Sequence, residues 1–547
     1  MKKIILIFVI VIGLSGVSCN KFLDINQNPN SAGSSTPAKI LAGQIVNMAS
    51  WINSMNTYGG QTVGYMSNAG GFGSFGDVWS YEYATSKGNG DWSSGYSIAE
   101  NLQFNIITPA ASDPSLANYD AAAKIIKAFV FQTLVDEFND VPYTEALNPA
   151  TTLQPVYDKA PVIYQQLALL LDSAIAEFNS SAAAITAGSD PFFGGNTTKW
   201  KQFANSLKLR MIVRADDKVK FTDKSFSSDG FLTEDALINP GYQNATMSSG
   251  AQTNPGWSYW VVNYAGSRGQ NAYIPAQYVF GYYDGHKLSD PGRGSAVYLN
   301  FPYTPTSQLG TNNVPQSLAS PGKTGTWYSG TDTTTPSGVG HFTTSTVGTG
   351  GTTLGNNIGV FKGPNMGEPV MLLTELDFLK AEAELRGLIS GDPAVDFKAG
   401  IHASFKYLYE LPGGAVKSGL DPDADADTYI SQNSSEEGAT NAYLVDLSKA
   451  TSDAQKLEAI ITQKYIALNM INGIEAWNEY RRTGYPKSSG TVLNNPYGSF
   501  ASLQSQANER PDRLPTRIPY PSSETTTNAA NIPSDIDIFS TLIFWAK

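Results

Sequence analysis

Seven stretches of this chain repeat apolar residues at spacings of three and four, a pattern that only helices burying one face can use. The clearest runs through Leu41, Ile45, Met48, Ile52 and Met55, with Thr36 placed to cap and Pro37 at the first helical position. Comparable stripes occupy residues 121–138, 161–178, 198–214, 368–388, 393–410 and 452–472. Helices of this kind joined by short connectors bury their stripes on one another as stacked hairpins, although no strict 34-residue repeat is readable. The expectation is an all-α superhelix.

The middle of the chain breaks the pattern. Between residues 301 and 360, Gly, Ser and Thr fill 32 of 60 positions and only Lys323 and Asp332 are charged, so helices are not expected there. Tyr303, Trp327, Tyr328 and Phe342 argue for order, since disordered segments are poor in aromatics. An irregular inserted lobe is placed at 216–366, between helical parts at 37–215 and 367–547.

The N-terminus reads as an export signal over residues 1–18. Lys2 and Lys3 precede an apolar run over residues 4–14, which is shorter than the ~18 to 20 residues that span a bilayer. Small residues 15–18 then lead to Cys19, the single cysteine, which has no intramolecular disulfide partner. Cleavage before Cys19 would expose it for acylation, although Gly16 stands where bacterial lipoprotein signals commonly carry a large aliphatic residue. Two or three acyl chains hold a protein on a membrane durably, at ~0.8 kcal/mol per buried CH₂. Residues 19–36 then read as a polar tether.

Charge removes some functions. With 36 Lys plus Arg against 48 Asp plus Glu, the net charge of −12 repels nucleic acid and anionic lipid. Only 15% of residues are charged while 41% are hydrophobic, so the chain has a large core under an Asn-, Ser-, Thr- and Tyr-rich surface.

Catalytic signatures are sparse. His286, His341 and His402 are isolated and lack the i, i+4 spacing of a zinc protease helix; no nucleophile elbow or phosphate loop occurs in a strand-to-helix context. Glu382 and Glu384, two apart on one helix, face different directions. No catalytic residue, metal site or cofactor is assigned, and the chain is not expected to be an enzyme. Asp421, Asp423 and Asp425 alternate as calcium ligands do, but Ala426 and Gln432 stand where a calcium loop needs Gly and Glu, so a solvated acidic loop is favoured.

Several segments, in order, resemble the SusD/RagB family of outer-membrane nutrient-binding lipoproteins, with a divergent SusD-like subgroup the nearer match. They are FLDINQNPN (22–30), WSSGYSIAEN (92–101), AKIIKAFVFQTLVDEFNDVPYTEAL (123–147), LTELDFLKAEAELRGL (373–388), EAWNEYRRTGYP (475–486) and RIPYPSSE (517–524). The resemblance implies four tetratricopeptide-like helix pairs carrying an irregular ligand-facing lobe. It also implies capture of oligosaccharide, or in some members peptide, for a SusC-like TonB-dependent barrel. A purely structural surface lipoprotein is the remaining alternative. In those motifs Arg481 and Arg482 are expected in a structural ion pair, and Trp92 and Trp477 in packing.

Sugar capture relies on flat aromatic faces against C–H faces, with amides and hydroxyls for the sugar's own hydroxyls. Two clusters qualify: GFGSFGDVWSYEY (71–83), with Trp79 and Tyr81, and NPGWSYWVVNY (254–264), with Trp257, Tyr259 and Trp260. With Trp327 and Tyr328 they are expected to face one another across a shallow groove, because aromatics in Gly-rich loops left exposed without use make an aggregation-prone patch.

Overall fold

The computed structural model of the protein describes residues 35–68, 76–148, 151–180, 184–245, 252–261, 263–264, 273–298, 301, 360–435, 440–489 and 495–547. Cys19, Trp327, Tyr328 and nearly all of the Gly-, Ser- and Thr-rich stretch lie outside the described residues.

The first half holds α1 (Pro37–Thr62), β1 (Met66–Asn68), α2 (Asn89–Leu102), α3 (Ala117–Phe138), α4 (Ala160–Ser180) and α5 (Thr197–Ala215). The middle supplies β2 (Ala236–Ile238), α6 (Pro255–Trp260), β3 (Tyr273–Pro275) and α7 (Pro291–Val297). Then β4 (Glu368–Met371) leads into α8 (Leu373–Leu385), α9 (Pro393–Tyr409), α10 (Pro422–Ser435), α11 (Asp453–Ala467) and α12 (Gly473–Thr483). Successive helices pack as hairpins: α1 on α2, α3 on α4, α4 on α5, α8 on α9 and α9 on α10, while α12 returns to lie on α1. The fold is mostly helical, as the apolar stripes require.

α1 starts where its sequence says. Thr36 is extended at the cap, its hydroxyl accepts from the Lys39 N–H at 3.4 Å, and Pro37 follows. Leu41, Ile45, Met48, Ile52 and Met55 are all buried. The helix meets α12 backbone to backbone: a Cβ on Gly59 would lie 2.6 Å from the Gly473 carbonyl carbon, and one on Gly473 would lie 2.3 Å from the Gly60 nitrogen. Only glycine allows that approach.

The stripe over 368–388 is not one helix. Its first residues form β4, which pairs antiparallel with β2, and β1 pairs with β3. The physical reason is Pro369, which biases Glu368 toward extended backbone and cannot donate inside a helix. The acidic run also differs from expectation. Asp423 and Asp425 sit in the first turn of α10, where carboxylates favour the positive end of the helix dipole. His402 of α9 lies between Asp423 and Asp427, at 2.8 and 3.2 Å, and both carboxylates stay exposed, so the run is solvated as expected but forms the start of a helix and not a loop.

Four of the motifs, at 123–147, 373–388, 475–486 and 517–524, meet along one buried seam. Arg214 of α5 contacts Asp136 of α3 and both Oε atoms of Glu475 in α12. Lys464 of α11 reaches Glu475 at 2.9 Å and Glu479 at 3.2 Å, and Arg482 forks onto Glu382 of α8 at 2.7 and 2.6 Å. Burial pushes the Glu475 carboxyl upward, but Arg214 and Lys464 outweigh it and hold the group well below the usual carboxylate range. The Asp-Val-Pro turn is used structurally: Asp140 accepts from the Ala160 N–H at 2.9 Å and so starts α4, and Tyr520 of the late motif donates to the Asp140 carbonyl at 2.8 Å. Arg482 is therefore the structural ion pair anticipated. Arg481 instead donates to the carbonyls of Asp136 and Thr516 and lies 3.8 Å over the ring of Trp477, which is fully buried, as Trp92 nearly is.

Candidate ligand-binding site

α6 is short, and its first residues explain what it displays. Asn254 caps it, accepting from the Trp257 N–H at 2.8 Å while its amide donates to the Met366 carbonyl at 3.2 Å and to Glu368 Oε2 at 2.9 Å. Both Asn254 and Glu368 are buried, and burial pushes the Glu368 carboxyl up to about 8. At neutral pH Glu368 is therefore largely protonated, a neutral post under the helix.

One helical turn then separates two faces. Trp257 and Trp260, three apart, point into the core at 0% and 3% exposure, with Trp260 stacked on Phe361 at 6.0 Å. Ser258 and Tyr259 point outward and are half-buried. Composition alone puts all three aromatics of this turn on a ligand-facing loop, but helical spacing turns Trp257 and Trp260 inward, where neither offers a sugar a free face. Tyr81 is corrected for a related reason. It is fully buried, with its backbone at φ +61° and its hydroxyl accepting from the Ser502 N–H at 3.0 Å. Trp79, in the single turn Gly76–Trp79, is half-buried. Tyr259 and Trp260 meet edge to face at 5.1 Å, so the inner ring props the outer one.

Past α6, Tyr264 is 41% exposed. Together with Tyr259 it borders an open recess of about 590 Å³ whose other walls include Ser50 and Asn53 of α1 and Gln252, Thr253 and Ser258 beside α6. Every described lining residue is uncharged, and amides and hydroxyls predominate. Such a surface can stack on an apolar ring face and exchange hydrogen bonds with many hydroxyls, and it holds no acid–base pair. Among the described residues no group of three or more His, Cys, Asp or Glu is arranged to hold a metal ion. Asn53 and Ser50 are not legible in the sequence as site residues, since they lie about 200 positions from α6 and carry no local signal. Tyr264 sat at the end of the quoted aromatic run but was not singled out.

The scaffold is mostly helical, and beside α6 it carries an open recess whose described lining is uncharged and rich in amides and hydroxyls. Comparison gives its family: residues 29–521 match SusD-like proteins, described as "Starch-binding associating with outer membrane", and the chain belongs to the SusD/RagB family. No curated protein matches the chain. Among solved structures it is similar to a chitin-binding protein, at 23% identity and TM-score 0.63, over 93% of this chain and 99% of that one. A SusD homolog from Bacteroides uniformis matches at 21% and 0.63 over 93% and 99%. A SusD/RagB family protein from Bacteroides thetaiotaomicron matches at 20% and 0.62 over 94% and 99%. At these identities the likeness concerns the fold.

Proposed function

We propose that this protein is a non-catalytic receptor that captures oligosaccharide at the outer membrane in the recess beside α6 and hands it to a SusC-like TonB-dependent barrel. The observation that carries the reading is the exposed ring of Tyr264 at the rim of an uncharged recess furnished with amides and hydroxyls. Rings of this kind stack on pyranose faces, and the amides replace the water that sugar hydroxyls give up. A family associated with starch and a similar structure that binds chitin support a carbohydrate over a peptide. Acylated Cys19 is the proposed anchor, with the remaining chain outside the membrane, on its extracellular face. No helix among the described residues is long and apolar enough to cross a membrane.

Binding to a glycan array, repeated with Tyr264→Ala, tests this. The array should give hits that the substitution weakens by roughly tenfold, the equivalent of ~1.4 kcal/mol. Hits confined to a peptide array would overturn the carbohydrate assignment.

A further inference from the structure

A cavity of about 400 Å³ lies where α7, α9 and α10 meet, and it shares no lining residue with the recess beside α6. Its buried lining is mostly apolar: Phe405, Leu408 and Tyr409 of α9 and Tyr429 of α10, with Leu420, 37% exposed, beside them. α7 meets these rings at Gly292, where a Cβ would lie 2.6 Å from the Tyr409 hydroxyl oxygen and 2.9 Å from Phe405 Cε1. Beyond α9 the chain turns back at once. Gly413 and Gly414, at φ +97° and +87°, make the turn, Glu410 bridges to Val416, and the Lys417 N–H donates to the Tyr409 carbonyl at 2.9 Å. Lys417 is thereby held in the lining of the cavity.

Three charged side chains line the cavity, and they differ in what they are bound to. Asp290 caps α7, accepting from the Arg293 N–H at 3.0 Å and from Arg293 Nε at 2.6 Å, so its charge is met inside the fold. Asp425 accepts from the Tyr409 hydroxyl at 2.7 Å through Oδ2 and makes no ion pair with a described residue. It is the one carboxylate of the alternating run that turns inward, Asp421 and Asp423 being exposed. Lys417 is half-buried, and its ammonium has neither an ion pair nor a hydrogen bond to a described residue. Every other described lysine that is not exposed has an acceptor for its ammonium.

We infer that this cavity is a second binding site, specific for a free α-amino acid with an apolar side chain: its ammonium on Asp425, its carboxylate on Lys417, and its side chain against Phe405, Leu408 and Leu420. Two unlike charges that do not pair with each other, set in one apolar cavity, match a molecule that carries both. A neutral sugar would cover both charges without meeting either. A simple anion would meet Lys417 but face Asp425, and a simple cation the reverse. The volume stands at the low end of the range for ligand pockets, ~300–1,000 Å³, which suits a single amino acid. The site is independent of the capture reading, which uses none of these residues.

The test is calorimetric titration of the purified full chain with L-leucine and L-phenylalanine, and with N-acetyl-L-leucine and L-leucinamide, each of which lacks one of the two charges. The free amino acids should bind, and each blocked form should bind roughly tenfold more weakly or worse, since one charged hydrogen bond is lost. Lys417→Gln should weaken leucine by about the same factor while leaving leucinamide unchanged, and Asp425→Asn should weaken leucine while leaving N-acetyl-leucine unchanged. Melting temperature should stay nearly constant in both variants, and glycan binding at the recess beside α6 should not change in either. No binding of either amino acid, equal affinity for the blocked forms, or indifference of leucine binding to both substitutions would overturn the site while leaving glycan capture intact. Loss of glycan binding in Lys417→Gln would make the cavity part of glycan capture and overturn the amino-acid assignment.

Discussion

Nη2 of Arg214 in α5 donates to both carboxylate oxygens of Glu475 in α12, each at 2.6 Å, and so ties the first half of the chain to the last across 261 positions. Both side chains are almost wholly buried, and the same guanidinium reaches Asp136 of α3. Arg214→Met would leave Asp136 and part of Glu475 charged in the core. Removing one member of such a pair costs ~3–5 kcal/mol, so the urea midpoint should fall sharply. Arg214→Lys should also lose stability, since a single ammonium does not fork between two carboxylates. A change below ~1 kcal/mol in both variants would mean that the seam is not what joins the halves.

Glu368 gives the ligand region a pH dependence with a fixed sign. Its carboxyl is pushed by burial from 4.5 up to about 8, so the folded chain binds a proton there that the unfolded chain releases. Stability from this group is full below about pH 4.5 and declines as pH rises to about 8, at no more than ~1.4 kcal/mol per pH unit. Glu368→Gln keeps the neutral shape and should flatten that slope, leaving the variant more stable than the parent at pH 8 and little changed at pH 4.5. Melting temperatures across that range report it. A parent whose stability climbs from pH 5 to 8 while the variant's does not would reverse the sign and refute the assignment.

How much was legible in the sequence depends on the reach of the cause. The helix at Pro37–Thr62 is set by a cap, a proline and a stripe within 26 residues, and all of these can be read locally. β4 is not legible locally, because its residues run straight into the apolar stripe of α8 while its partners Ala236–Ile238 lie 130 to 135 positions away. The site failed in the same way. A six-residue helix is shorter than the window in which period 3.6 becomes visible, so Trp257, Tyr259 and Trp260 looked like equivalent loop aromatics. Only the fold shows that Asn254 starts a helix there, with Glu368 beneath it and α1 opposite the outward face.

The anchor depends on one atom. If the Cys19 sulfur carries acyl chains, Cys19→Ser should move the protein from the membrane fraction to the soluble one and abolish incorporation of labelled palmitate, with the fold unchanged by circular dichroism. A single residual chain would give only weak, reversible attachment, so the shift should be close to complete. Retention of the Ser variant in membranes after a high-salt wash would place the attachment elsewhere.

The aromatics near α6 should divide into two classes that different measurements separate. Tyr264 is exposed and Tyr259 half-buried at the recess, so Tyr264→Ala and Tyr259→Ala should weaken glycan binding while melting temperature stays nearly constant. Each ring contributes on the order of 0.5–1.5 kcal/mol beyond the area it covers, so the double variant should lose roughly tenfold or more in affinity. Trp257, at 0% exposure, and Trp260, at 3%, belong to the core. Trp257→Ala should cost ~3–5 kcal/mol of stability through the cavity it leaves. Its effect on binding should come second to that loss, recovering when titration is repeated at a temperature where the variant is folded. If Trp257→Ala abolished binding in a fully folded protein while Tyr264→Ala changed nothing, the ligand would be reaching the face that the structure buries, and the recess beside α6 would not be the site.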